Sequence, residues 1–158
     1  MKKLLFTALL FFAAFNLGAQ STKPMLQSIG VKVYPGAITY KQYQTESVAK
    51  ELLAYFNEDG FRLTGLYEKH MPVPNAEGLE WYVGGGGHFG LWNSSWRLRN
   101  PPSTAVFAIG VDGVIGLDYK IPNAPLAISF DWQPSFNLVG HTYFEGGWGG
   151  LAVRYTFK

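Results

Sequence analysis

The sequence has no cysteine. That excludes a disulfide framework, a thiolate metal site, a thiol nucleophile and a lipid anchor on an N-terminal Cys. Charge is scarce as well: Asp, Glu, Lys and Arg make up 15% of the chain, against about 25% in a typical soluble domain. The net charge of +2 is owed to Lys2 and Lys3, so residues 20–158 carry none. With no basic run or patch, no nucleic-acid partner is expected. A third lack is decisive for architecture. Beyond residue 19 no apolar run approaches the roughly 20 residues of a membrane-spanning helix.

What the chain does have begins with its first residues. Lys2 and Lys3 precede an apolar stretch from Leu4 to Phe15 broken only by Thr7, and Leu17-Gly18-Ala19 offers the small residues that a signal peptidase reads. The pattern predicts a cleaved secretory signal over 1–19 and a mature chain over 20–158 starting at Gln20. The mature part is rich in aromatics, which form 16% of the whole chain, and in Gly, with 18 of the chain's 19 residues. Aromatic and Gly content without charge suits an exterior that faces lipid. A lipid-embedded chain without apolar helices must close into a barrel, because lipid cannot satisfy open backbone groups.

The apolar residues recur with a period of two. Leu126, Ile128, Phe130 and Trp132 alternate with Ala127, Ser129, Asp131 and Gln133. Phe107 to Lys120, Leu79 to Gly84 and Gly150 to Phe157 repeat the pattern. Such alternation marks strands with one apolar face. Turn signals such as Pro35-Gly36, Asn57-Glu58-Asp59-Gly60 and Pro122-Asn123-Ala124-Pro125 divide the chain into eight strands. The expected spans are 27–34, 37–45, 47–57, 60–70, 79–90, 105–120, 125–134 and 148–157. The third contains Lys50-Glu51-Leu52-Leu53-Ala54, which helix propensity alone also favours. The fold class expected is all-β: an eight-stranded, antiparallel, up-and-down transmembrane β-barrel in one domain.

An even strand number puts both termini on the periplasmic side of a bacterial outer membrane. The long connections at 91–104 and 135–147 then face outward. The polar face mixes small residues with charges of both signs, which suits the narrow interior of eight strands. Lys32, Lys41, Glu51, Glu68, Glu80, Asp118, Asp131 and Arg154 are expected there at similar depth, as one ion-pair network, because unpaired interior charges are strongly unfavourable. Asp131 and Arg154, on neighbouring strands, are expected to pair directly. The outer loops supply Trp92, Trp96, Arg97, Arg99, Tyr143, Phe144 and Trp148 as candidate contacts for a partner or for lipopolysaccharide phosphates.

Other chemistry finds less support. Gly84-Gly85-Gly86-Gly87 has no following Lys-Ser/Thr and no helix, so it reads as strand glycine making room for a neighbour, not as a phosphate loop. His70, His88 and His141 lack metal-ligand spacing. His88, Ser94, Ser95 and His141 near the outer rim raise an acyltransferase-like or protease-like reading, with no motif to order them. No cofactor, metal or catalytic residue is expected. The rivals to a structural or surface-interaction role are that rim enzyme, a narrow channel, and a soluble lipocalin-like lipid-binding barrel.

The closing stretch Ala152-Val153-Arg154-Tyr155-Thr156-Phe157, followed by one Lys158, resembles the last strand of outer-membrane barrels. FRLTGLYE (61–68), LEWYVGGG (79–86), GVDGVIGLDY (110–119) and LAISFDWQP (126–134) resemble small outer-membrane barrel proteins of the Bacteroidota type. The resemblance implies a monomer in the outer membrane of a Gram-negative bacterium, in contact with lipid and lipopolysaccharide and inserted by the barrel-assembly machinery. It carries over no catalytic residue.

Overall fold

The computed structural model describes residues 26–58, 60–94, 98, 107–140 and 143–158. Their strands are β1 (Gln27–Lys32), β2 (Ala37–Tyr43), β3 (Val48–Asn57), β4 (Gly60–Pro72), β5 (Leu79–Trp92), β6 (Phe107–Lys120), β7 (Leu126–Val139) and β8 (Phe144–Phe157). Each pairs antiparallel with the next, and β8 returns to β1, with Gln27 opposite Phe157 and Lys32 opposite Ala152. The result is a closed eight-stranded barrel, as the alternation predicts. The segment with helical propensity is strand, because Glu51, Leu53 and Tyr55 face in while Leu52 and Phe56 face out. Tertiary burial overrides local preference there.

Two expected boundaries are corrected. The segment assigned to a long connection at 135–147 is mostly strand: β7 continues to Val139 and β8 begins at Phe144. Pro134 and the Gly-rich Glu145-Gly-Gly-Trp-Gly-Gly150 look like turn residues. Instead they sit at a register shift between Gln133 and Ser135, which lets both strands carry on. The Trp132 indole donates to the Gly146 carbonyl at 2.8 Å across this irregularity. At the other boundary, β4 runs through Pro72, so the next link is 73–78.

The start of β1, the end of β8 and the links 44–47, 73–78 and 121–125 share one end of the barrel, here the terminal end. The turn 33–36 and the last residues of β3, β5 and β7 share the far end. The wall is uneven. β1 and β2 have 6 and 7 residues, while β6, β7 and β8 have 14 each.

Alternation places the two side-chain sets on opposite faces of the wall. Ile29, Val31, Ile38, Val83, Val111, Ile115, Leu117, Phe130, Trp132, Leu151 and Val153 are exposed on the outside. Lys32, Lys41, Glu51, Arg62, Glu68, Asp112, Asp118, Asp131 and Arg154 are buried inside. Interior glycines make that fit. A Cβ on Gly30 would collide with the Arg154 side chain and the Val153 carbonyl, and one on Gly116 would collide with the Tyr82 ring and Asp131. Gly30→Val is therefore expected to displace Arg154 and destabilise the barrel by about 1–3 kcal/mol, the usual cost of overpacking. A lower urea midpoint at unchanged slope would show it.

Candidate functional site

The interior holds two charged clusters. In the terminal half, Lys32 Nζ lies 2.8 and 2.9 Å from the two Asp131 oxygens, and the Tyr82 hydroxyl donates to Asp131 Oδ2 at 2.8 Å. Lys41 Nζ is 2.7 Å from Glu68, 3.4 Å from Glu51 and 3.8 Å from Asp118, and sits 4.3 Å over the Tyr82 ring. Arg154 donates to Glu51 at 2.9 Å and to Asp118 at 3.2 Å, and the Thr39 hydroxyl also donates to Glu51. At the terminal mouth, His70 lies between Glu68 and Glu80, at 3.1 Å from each, and Lys120 holds Glu80 at 2.8 Å.

All eight sequence-identified charges thus face the interior and meet in one chain of contacts through His70 and Tyr82. Glu80 departs from the common depth. It is half-buried at the mouth and joins the others only by way of His70.

The expected Asp131–Arg154 pair does not form. Arg154 lies opposite Ala127 and Asp131 opposite Gly150, so the two are four residues apart along β8, about 13 Å of strand. Counting depth from strand ends misplaced them, because each strand is staggered against the next in a tilted barrel. Asp131 is held by Lys32 instead, and Arg154 by Glu51 and Asp118.

The far half carries a second cluster. Arg62 is ion-paired to Asp112 and, at 3.2 Å, to Glu145; its guanidinium lies 4.1 Å from the Trp148 ring centre. His88 Nδ1 is 2.7 Å from Asp112 and its Nε2 2.7 Å from Asn137 Oδ1. Gln133 donates to Asp112 at 3.0 Å and accepts from the Tyr55 hydroxyl at 2.8 Å. Tyr143 donates to Glu145, which also accepts from the Trp148 indole at 2.8 Å. Burial, then the bond to the Glu145 carboxylate, pushes the Tyr143 phenol up, so it remains a donor. Along their strands Leu53, Leu66 and Val114 stand between the two clusters, buried inside the barrel.

This second cluster was only partly readable. Alternation puts Arg62 and Asp112 on the polar face, and the same parity carried along β5 from Glu80 reaches His88. Asn137 and Glu145 were hidden because their segment looks like a loop.

His88 is therefore not a rim residue. It is buried in the interior, with both ring nitrogens engaged. Trp92 is corrected likewise: it ends β5 with its side chain buried inside. Phe144 is exposed at the start of β8, Tyr143 is half-buried, and Ser94 is exposed. Ser95, Trp96, Arg97, Arg99 and His141, like the segment 1–19, lie outside the described residues. Among the described residues no group of three His, Asp or Glu side chains is arranged to hold a metal ion. No protein-family model matches the chain, and no curated protein matches it in sequence.

Proposed function

We propose that this chain is an integral outer-membrane β-barrel of a Gram-negative bacterium, with a structural or surface-interaction role and a lumen plugged by its ion-pair network. The observation that carries the reading is the direction of the wall's two faces. Outward residues such as Val111, Ile115, Phe130 and Trp132 are 49–62% exposed, while Lys32, Lys41, Glu51 and Arg154 are at most 2% exposed inside. A soluble lipocalin-like barrel needs the reverse, with apolar residues around its ligand. An apolar exterior of this extent suits lipid.

Strand length supports the same reading. A tilted spanning strand needs about 9–11 residues, and β3 to β8 have 10 to 14. On the shorter β1–β2 sector the apolar exterior continues into the turn through Val33 and Tyr34.

The termini face the periplasm in this reading, and the far end faces outward. Phe144 and Tyr143, with Trp96, Arg97 and Arg99, are the proposed contacts for lipopolysaccharide or a partner. We propose a monomer with no cofactor and no catalytic role, of the Bacteroidota type. The commitment of both His88 nitrogens inside the barrel removes His88 from the rim set that an enzyme would use.

Cell fractionation tests the placement. Mature protein starting at Gln20 should sediment with outer membranes and resist extraction by salt. Recovery in the soluble periplasmic fraction, or an intact mass retaining Met1 in the membrane fraction, would count against it.

A further inference from the structure

The interior charges come close to cancelling, and the remainder is informative. The terminal cluster has five carboxylates, Glu51, Glu68, Glu80, Asp118 and Asp131, and four permanent cations, Lys32, Lys41, Lys120 and Arg154. Among the described residues the far cluster has two carboxylates, Asp112 and Glu145, and one cation, Arg62. Among the described residues the terminal cluster is one positive charge short, and it contains His70 against two carboxylates. A buried carboxylate without a compensating cation is costly, so in the terminal cluster a protonated His70 imidazole is the natural completion.

The geometry is clearest at His70. Its Nε2 faces Glu68 Oε2 and its Nδ1 faces Glu80 Oε2, both at 3.1 Å. A neutral imidazole has one N–H, and donating to both carboxylates takes two. Every element around it presents groups that respond to that charge. From β2, Tyr43 puts its hydroxyl 3.2 Å from Nδ1 and 3.4 Å from Glu80 Oε2, and Lys41 shares Glu68 Oε2. From β5, Tyr82 stacks on the ring at 4.8 Å, and Glu80 accepts from it. From β6, Lys120 holds the other oxygen of Glu80, and Asp118 stands behind Lys41. From β3 and β8, Glu51 and Arg154 complete the cluster.

We propose that His70 is a proton-operated latch on the terminal mouth of the lumen: protonated, it clasps Glu68 and Glu80 together and neutralises the cluster; deprotonated, it releases Glu80 and leaves that cluster one negative charge in excess. Tyr43 makes the exchange possible. Its hydroxyl donates to Glu80 in the first state and turns to the bare Nδ1 in the second. The latch belongs to the inside of the barrel and operates whether lipid or water surrounds the wall. Failure of the chain to insert into membranes would therefore count against the membrane reading and leave the latch to be judged on its own data.

The absence of native cysteine provides a clean probe. Ser129 is buried inside, opposite Asp118. In Ser129→Cys protein at one fixed pH near neutral, the rate of labelling by a water-soluble maleimide reports access to the interior. Adding His70→Gln, which fixes the uncharged state, should speed labelling several-fold. Adding His70→Lys, which fixes the charge, should leave it near the parent rate. Combining His70→Gln with Glu80→Gln restores neutrality and should slow labelling again.

A second measurement needs no variant at His70. The stability given by the charged imidazole is present at low pH and lost as pH rises through the His70 titration in the folded barrel. The unfolding constant of wild type should then climb by up to about tenfold per pH unit over that window. If His70→Gln labels at the parent rate, or the double variant labels no more slowly than the single, the latch is wrong. If the first variant does not fold, a wild-type unfolding constant that stays flat across the histidine range overturns it.

Discussion

Replacing Arg154 by methionine is expected to remove about 3–5 kcal/mol of stability, the loss that follows when one partner of a buried ion pair is deleted. Arg154 is 1% exposed and is the group that ties Glu51 to Asp118. Without it, these two carboxylates and Glu68 share the single ammonium of Lys41, whose distances to Glu51 and Asp118 are already 3.4 and 3.8 Å. Methionine fills much of the same volume beside Gly30, so the effect isolates charge from packing. The second substitution distinguishes the observed network from the simpler neighbour pairing. Asp118→Asn added to Arg154→Met should restore part of the loss, because it removes a carboxylate that the arginine had served. Asp131→Leu added to Arg154→Met should make matters worse, because it strands Lys32, which has Asp131 as its ion-pair partner. Urea unfolding of the four proteins decides it. A double variant with Asp131→Leu that recovers more than the one with Asp118→Asn would contradict the assignment of partners.

That contrast also marks how far sequence carries. Which residues enter the lumen is fixed by a period of two, and parity is robust: one error would expose a lysine on the apolar face or turn Ile128 and Phe130 into the charged interior. Lys32, Lys41 and Arg154 were legible for this reason. Which charge meets which is a different kind of question. It depends on the stagger between strands, and one strand's sequence carries no record of its neighbour's register. Asp131 shows the consequence, since the shift of four residues along β8 hands it from Arg154 to Lys32. Glycine hides a different part. In Glu145-Gly-Gly-Trp-Gly-Gly150 the composition of a loop is used to carry a strand through an irregular register, so the far ends of β7 and β8, and with them Asn137 and Glu145, were out of reach. His70 was visible as a histidine on a strand. Its setting between Glu68 and Glu80 requires β4 and β5 to be placed side by side, with His70 opposite Tyr82.

The reading of the exterior leads to the second large effect. Ile115→Arg is expected to cost about 2–4 kcal/mol in a lipid bilayer, as arginine does on the lipid face near the midplane of a membrane barrel. Ile115 is 49% exposed near the middle of β6 and lies between Val83 on β5 and Trp132 on β7, both also exposed. Its nearest outward neighbours on the same strand are Gly113 and Leu117, so no carboxylate is in line to receive a guanidinium. At this height the long side chain must bend toward a headgroup or thin the bilayer locally, and both cost free energy. The same substitution on a water-soluble barrel replaces an exposed isoleucine by a solvated cation, which is close to neutral and improves solubility. The two architectures thus predict opposite outcomes from one change. Folding into lipid vesicles, followed by urea titration, should give a lower midpoint for Ile115→Arg and a near wild-type midpoint for Ile115→Phe, which keeps the surface apolar. If Ile115→Arg folds in vesicles with undiminished stability, or if the wild-type chain folds fully in water without lipid and the arginine makes it more soluble, the apolar exterior belongs to some contact other than the bilayer, and the membrane reading falls with it.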